Sequence, residues 1–211
     1  MIRALLLIFD PTATWERIFR ARRGLVFIFL FYLCPFLLLN GAVEGYGLVH
    51  VGKKRGILAQ EHHFEKGEAV IFEAAQFLIW VGVVVLGAKL VKSIGETFHG
   101  RHNMTQAFAT VAYGLAPLFL LRLCDGWSQD LVYVYWVIWA LGVLLAFNTL
   151  YYGVPKMMEP DPSHAFGLFL MSSLLLMLTT GLFRYVTYGY LEGKFTALES
   201  SVSALGRRLP F

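Results

Sequence analysis

The chain has 211 residues, of which 57% are apolar and only 15% charged, and its mean hydropathy is +0.61. A soluble domain of this size cannot bury so much apolar surface, whereas a bilayer removes the conflict by making the solvent apolar. The net charge of +4 does not call for nucleic acid: Lys and Arg lie in short segments beside apolar runs, where anionic lipid and the positive-inside rule account for them.

The N-terminus does not have the pattern of a signal peptide. After Arg3 the apolar stretch Ala4–Phe9 is shorter than the usual h-region, and Asp10-Pro11 follows where a small-residue cleavage site would be needed. Asp10-Pro11 instead predicts a helix start, with Asp as cap and Pro at the first helical position. From Thr12 onward, Trp15, Ile18 and Phe19 share one face. Pro11–Arg22 is therefore expected to be an amphipathic helix on the inner membrane surface, with Trp15, Arg17, Arg20, Arg22 and Arg23 at the interface. Packing of Trp15 against the loops of the bundle is compatible with that placement.

Five apolar runs follow. The first, Leu25 to Val43, is uncharged and contains Pro35, where a kink is expected. A polar stretch, Glu44 to Glu68, leads to the second run, Ala69 to Val91, whose Glu73 and Gln76 fall in the first turns, at headgroup depth. The connector Lys92–Asn103 leads to the third run, Met104 to Leu123, with Gly114 and Pro117 inside and Arg122 at the end. Asp125–Asp130 is a polar turn. The fourth run, Leu131 to Tyr151, is bracketed by Tyr and Trp as in interfacial belts. Gly153–His164 holds Pro155, Pro160 and Pro162 and is expected to be a loop. The fifth run is Ala165 to Tyr188, charged only at Arg184.

No strand pattern is evident, and the continuous runs exclude the alternating segments of a membrane barrel. The expected fold is all-α: a polytopic membrane bundle of about five transmembrane helices behind an N-terminal interfacial amphipathic helix. The organisation is 1–24 interfacial segment, 25–188 transmembrane domain and 189–211 polar tail. Lys and Arg divide nine against eight between the two sides with Arg184 left out. The arginines at 20–23 abut the first span, however, and that helix usually dominates orientation. The N-terminus is thus expected in the cytoplasm and the C-terminus outside.

A short segment of the form Asp-Pro-x-x-x-Trp-Glu-x-Ile, then a basic stretch and five spans, resembles the bacterial branch of the Yip1-domain family. So does Gly100–Phe108 running into Ala112–Pro117, with a Tyr followed by a Pro inside the third span. The resemblance covers about Asp10 to Tyr188. It lacks the Asp-Leu-Tyr-Gly-Pro signature of the eukaryotic members, so their Rab binding and Golgi trafficking are not carried over. It implies a five-span protein of the bacterial cytoplasmic membrane without known catalysis, working through protein or lipid partners.

Among single residues, Arg184 stands out, because a charge inside a span is costly and is often functional. It lies close enough to Gly189 to snorkel or to make a structural pair; contact with a ligand or lipid head is the other reading. Tyr113 is positioned to hydrogen-bond across a close helix contact or to touch lipid or a partner. His62-His63 point to different faces, while His99 and His102 share one only if Gly100 leaves the helix intact. Solvated loop histidines are expected there, with no metal and no cofactor. The nucleotide, hydrolase, zinc-protease and Cys-x-x-Cys motifs are absent. The spans show almost no charge, and in particular lack the acidic residues of a proton-coupled transporter. The chain is accordingly expected to be non-enzymatic: a scaffold or accessory subunit partnered by membrane lipids and by other membrane subunits or itself, without nucleic acid. A small transporter, permease component or lipid-moving protein is the alternative.

Overall fold

The computed structural model describes residues 2–55, 60–100, 103–128 and 132–206. Arg101, His102, Gln129, Asp130, Arg207 and Arg208, all named above or part of the stretches named above, lie outside the described residues.

Five helices are long and apolar enough to cross a membrane. Two short helices, α1 (Ile2–Phe9) and α2 (Pro11–Ala21), precede them. The spans are α3 (Leu25–His50), α4 (Lys66–Thr97), α5 (Met104–Arg122), α7 (Val132–Met158) and α8 (Ala165–Leu191). A one-turn helix, α6 (Asp125–Ser128), joins α5 to α7, and α9 (Thr196–Gly206) follows the last span. Leu38, Leu78, Leu144 and Leu178 are 62–76% exposed on the outer faces. In water such a surface would be a liability; in a bilayer it is the side that meets lipid. Helix α5 is the hub: 72% of its most apolar window is buried, against 33% in each of the other spans. Its small residues Ala107, Ala109, Ala112, Gly114 and Ala116 let neighbouring helices approach closely.

Both helix-distorting prolines act locally. Pro35 has no N–H to donate and its ring crowds the preceding turn. Helix α3 takes this up in a π-helical turn, Phe29–Leu33, where the Cys34 N–H reaches the Phe29 carbonyl. In α5 the regular helix breaks at Gly114-Leu115, just before Pro117.

The helices outrun their apolar runs. Helix α3 continues to His50, so the polar stretch expected from Glu44 begins seven residues later. Helix α4 spans 32 residues, about 48 Å at 1.5 Å per residue, well beyond ~30 Å of hydrocarbon. Helix α7 passes straight through Pro155 to Met158, where a loop was expected; Glu159, in left-handed backbone (φ 42°), ends it. The tail is also helical, and α9 docks so closely on the start of α4 that a Cβ on Gly67 would meet the backbone of Gly206. Strands are present after all. Lys53–Arg55 and Gln60–His62 form a two-stranded antiparallel hairpin, with Lys53 opposite His62.

The capped start of α2 is as the residues dictate. Asp10 Oδ1 accepts from the Ala13 N–H (3.2 Å), and Pro11 takes the first helical position. Glu16 then ties α2 to α7, accepting from Lys156 Nζ (2.6 Å) and Arg20 Nη2 (3.1 Å). Lys156, and to a lesser degree Arg20, hold the Glu16 carboxyl below the usual carboxylate range. A depressed carboxyl pKa contributes stability above the unfolded value, and that contribution is lost as pH falls through the folded value. Amide exchange in α2 should therefore accelerate, after correction for intrinsic rates, as pH drops through the acid range. Glu16→Gln should flatten the dependence; an unchanged profile in that variant would assign it to another group.

Candidate functional site

The polar residues that the sequence scatters over headgroups and loops converge at the end of the bundle where α3, α5 and α8 finish and α4 and α7 begin. Because α3 is helical through residue 50, Glu44 points inward and is 1% exposed. Its Oε2 accepts from Arg122 Nη2 (2.6 Å) and Nε (3.1 Å), and its Oε1 accepts from Gln76 Nε2 (3.3 Å). Arg122 also donates to Gln76 Oε1 and lies against the Trp80 ring. One helix thus supplies an acid, the second an amide and the third a guanidinium, and each completes the others.

A second pair adjoins it. Arg184 donates to both carboxylate oxygens of Asp125, the Oδ1 contact being 2.9 Å, and to the Tyr135 carbonyl at 3.0 Å. Its guanidinium stacks on the Tyr135 ring, 3.3 Å from the centroid. Asp125 is fully buried in the turn that the sequence suggested would be solvated. Two glycines make this possible: a Cβ on Gly47 of α3 or Gly126 of α6 would strike the backbone of the other helix. Burial pushes the Asp125 carboxyl up, while its bonds to Arg184 pull the other way. Lys53, 2% exposed, lies over the rings of Tyr135 and Tyr188 at 5.2 and 4.6 Å.

The expectation of nearly charge-free spans is therefore corrected. Glu44, Glu73 and Arg122 lie within the spanning helices, as Arg184 does; from the sequence they were expected at headgroup depth or in a polar connector, because each sits near or beyond the end of an apolar run. The pairing is dry: the two cavities touching the network are about 10 Å³ each, at or below the space one water needs.

Glu73 is the exception. Its side chain is 12% exposed and lies 4.0 Å from Arg122 Nη2. Both its oxygens are buried without a hydrogen-bond partner. It forms the floor of a lateral groove of about 930 Å³ between α3 and α4, walled by apolar residues such as Leu37, Leu38, Val70, Phe77 and Leu78. Gly41 and Gly45 make room for it: a Cβ at either would come within 3.2–3.3 Å of the Glu73 side chain.

The family model of the Yip1 domain matches residues 5–183. The chain belongs to the Yip1 domain family. No curated protein and no solved structure matches it. The matched part of the Yip1 domain carries Glu44, Glu73, Gln76, Arg122 and Asp125 and stops one residue short of Arg184.

The residues singled out in the sequence of this Yip1 domain are divided between surface and core. Arg17, Arg20 and Arg22 are exposed and Arg23 is half-buried, stacked on Phe27 at 4.4 Å. Trp15 is not on that surface. It is 1% exposed, donates Nε1–H to the Thr149 carbonyl (2.9 Å) and meets Tyr113 edge-on. The reason is Gly153, where any Cβ would overlap the indole; the glycine opens a slot in α7. Tyr113 is likewise buried, 4.3 Å from the ring of Tyr32, so neither ring faces lipid. Arg184 faces inward to Asp125. Of the histidines, His99 approaches His164 and Asp161, with ligand atoms within 4.8 Å of one another. A divalent transition metal would accept such donors, but all three side chains are exposed and belong to the loops between other helix ends, apart from the network.

Proposed function

We propose that this Yip1 domain protein is a non-enzymatic scaffold or accessory subunit of a larger membrane complex, and that the α3–α4 groove seats an apolar segment of its partner. The observation that carries this reading is the division of labour between network and groove. The charges of Glu44, Arg122, Asp125 and Arg184 are consumed by one another in tight packing, which locks the helices together, while the large opening, with Glu73 at its floor, lies on the side of the bundle. Protein-lined lateral surfaces suit association; a water-filled centre would suit transport. A bacterial cytoplasmic membrane and a cytoplasmic N-terminus accompany this reading, on the strength of the basic residues at 20–23 before α3. A reporter fused after Phe211 and active only in the cytoplasm would reverse that orientation.

A photo-crosslinking residue in place of Leu38 or Leu78, activated in native membranes, tests the proposal. A protein adduct of discrete mass from these positions, absent when the probe replaces Leu144 on the far surface, is the expected result. Adducts with lipid alone would sink it. The second reading, a lipid-moving protein, is favoured by one feature: the carboxylate of Glu73 at the floor of a mainly apolar groove whose lining also includes His50 and Lys66. Lipid-only adducts together with accelerated lipid exchange in proteoliposomes, lost in Glu73→Gln, would establish that reading instead.

A further inference from the structure

The opposite end of the bundle holds a separate cavity of about 220 Å³, and its walls are basic. Arg3 of α1 and Arg22 and Arg23 after α2 line one side; Asn103, Thr105 and Gln106, at the start of α5, line the other. Three arginines thus line a single small space with no carboxylate among the lining residues, Arg23 with its guanidinium over the Phe27 ring at the margin. Among these lining residues, Arg3 Nη1 and Gln106 Oε1 are buried with no hydrogen-bond partner. Buried polar atoms are ordinarily satisfied, and an unpartnered donor and an unpartnered acceptor on two residues lining one cavity suit a ligand with both acceptor and donor oxygens. The positive end of the first part of α5, Met104–Gly114, a helix of 11 residues, adds its dipole to the same place. Arg22 is held at φ 42°, left-handed backbone that favours glycine, and so its side chain leaves α2 at the rim of this cavity.

We propose that this cavity binds a phosphate group, with the guanidinium groups of Arg3, Arg22 and Arg23 on its anionic oxygens and Gln106 Oε1 accepting from a hydroxyl of the same ligand. The chemistry is that of a phosphodiester headgroup bearing a free hydroxyl, or of a soluble phosphomonoester. It is distinct from the diffuse attraction of a basic surface for anionic lipid, because Arg17 and Arg20 do not line the cavity, whereas Arg22, exposed at its rim, does.

The full chain in nanodiscs of phosphatidylcholine is titrated with phosphatidylglycerol, and retained lipid is counted by native mass spectrometry. In parallel, the detergent-solubilised protein is titrated with inorganic phosphate. Each guanidinium near a membrane contributes roughly a fivefold factor, so one phosphatidylglycerol should stay bound to the wild type, and Arg3→Gln and Arg22→Gly should each weaken it about fivefold. Arg22→Gly should leave the melting temperature unchanged or raise it, since glycine suits that backbone, which separates lost binding from lost folding. The exposed pair Arg17→Gln/Arg20→Gln should change retention less than either cavity variant. Phosphate binding in the absence of lipid assigns the soluble source; retention of phosphatidylglycerol alone assigns the headgroup. Equal retention of both lipids with no phosphate binding overturns the site, and so does a surface variant that loses as much as Arg22→Gly.

Discussion

Arg122→Leu is expected to lower the stability of the folded bundle by about 3–5 kcal/mol, because removing one member of a buried pair leaves the other uncompensated. The residue left behind is Glu44, 1% exposed, which would keep only the Gln76 amide. Two effects compete. Neutral polar contacts between membrane helices contribute only about 0.6 kcal/mol on average, since the unfolded chain in the membrane also finds partners. A bare carboxylate in a dry site is different, because no comparable partner replaces a guanidinium that makes two hydrogen bonds to one oxygen. The second effect should win. Glu44→Gln alone should also destabilise, by up to about 3 kcal/mol: its amide oxygen still accepts from Arg122, but the buried guanidinium is then left with no carboxylate nearer than Glu73 at 4.0 Å. Placed on Arg122→Leu, the same change should restore part of the loss, so the double variant is less destabilised than the sum. Unfolding in detergent by denaturant or heat reads all three; strict additivity would mean that the two residues do not act as a pair. Asp125→Asn on Arg184→Leu should behave in the same way.

The five spans were legible because each contains a continuous apolar run, and hydrocarbon thickness imposes that length on any helix that crosses it. The ends of the helices were not. Hydropathy marks where a helix meets hydrocarbon, whereas the helical backbone extends further, to His50 at the end of α3 and back to Lys66 at the start of α4. Those few extra turns changed the meaning of Glu44, Glu73 and Gln76 from headgroup residues to interior ones. Nor could the network be assembled from spacing, since Gln76 and Arg122 are 32 and 78 positions from Glu44. Two local signals did point to it: Gly47 three residues after Glu44, and Gly126 immediately after Asp125. The two glycines meet and let the backbones approach where a charge needs a partner. The N-terminal cap was legible because Asp10-Pro11 acts on its own helix; the destination of Trp15 depended on Gly153, remote in sequence.

That destination gives the second large effect. If the indole of Trp15 lay in the headgroup region, Trp15→Ala would weaken membrane binding of a short segment and leave the bundle unchanged. Buried as it is between Tyr113 and the slot at Gly153, the same substitution empties a core site, and aromatic-to-alanine changes in cores cost about 3–5 kcal/mol. The hydrogen bond to the Thr149 carbonyl goes with it, although water or a neighbouring amide can serve a helix carbonyl, so the cavity dominates. Without Trp15, α2 keeps only Ile18 and Thr14 as buried anchors and its Glu16–Lys156 pair at the rim. Protease should then cut near Arg17 and Arg20 well before the spans unfold. Gly153→Leu should reproduce this from the other side of the contact, because the new side chain would occupy the place of the indole. Combining the two changes should be less damaging than their sum, with the introduced leucine filling part of the space that Trp15 vacates. A Trp15→Ala protein with wild-type stability and an uncut α2 would return the tryptophan to the membrane surface.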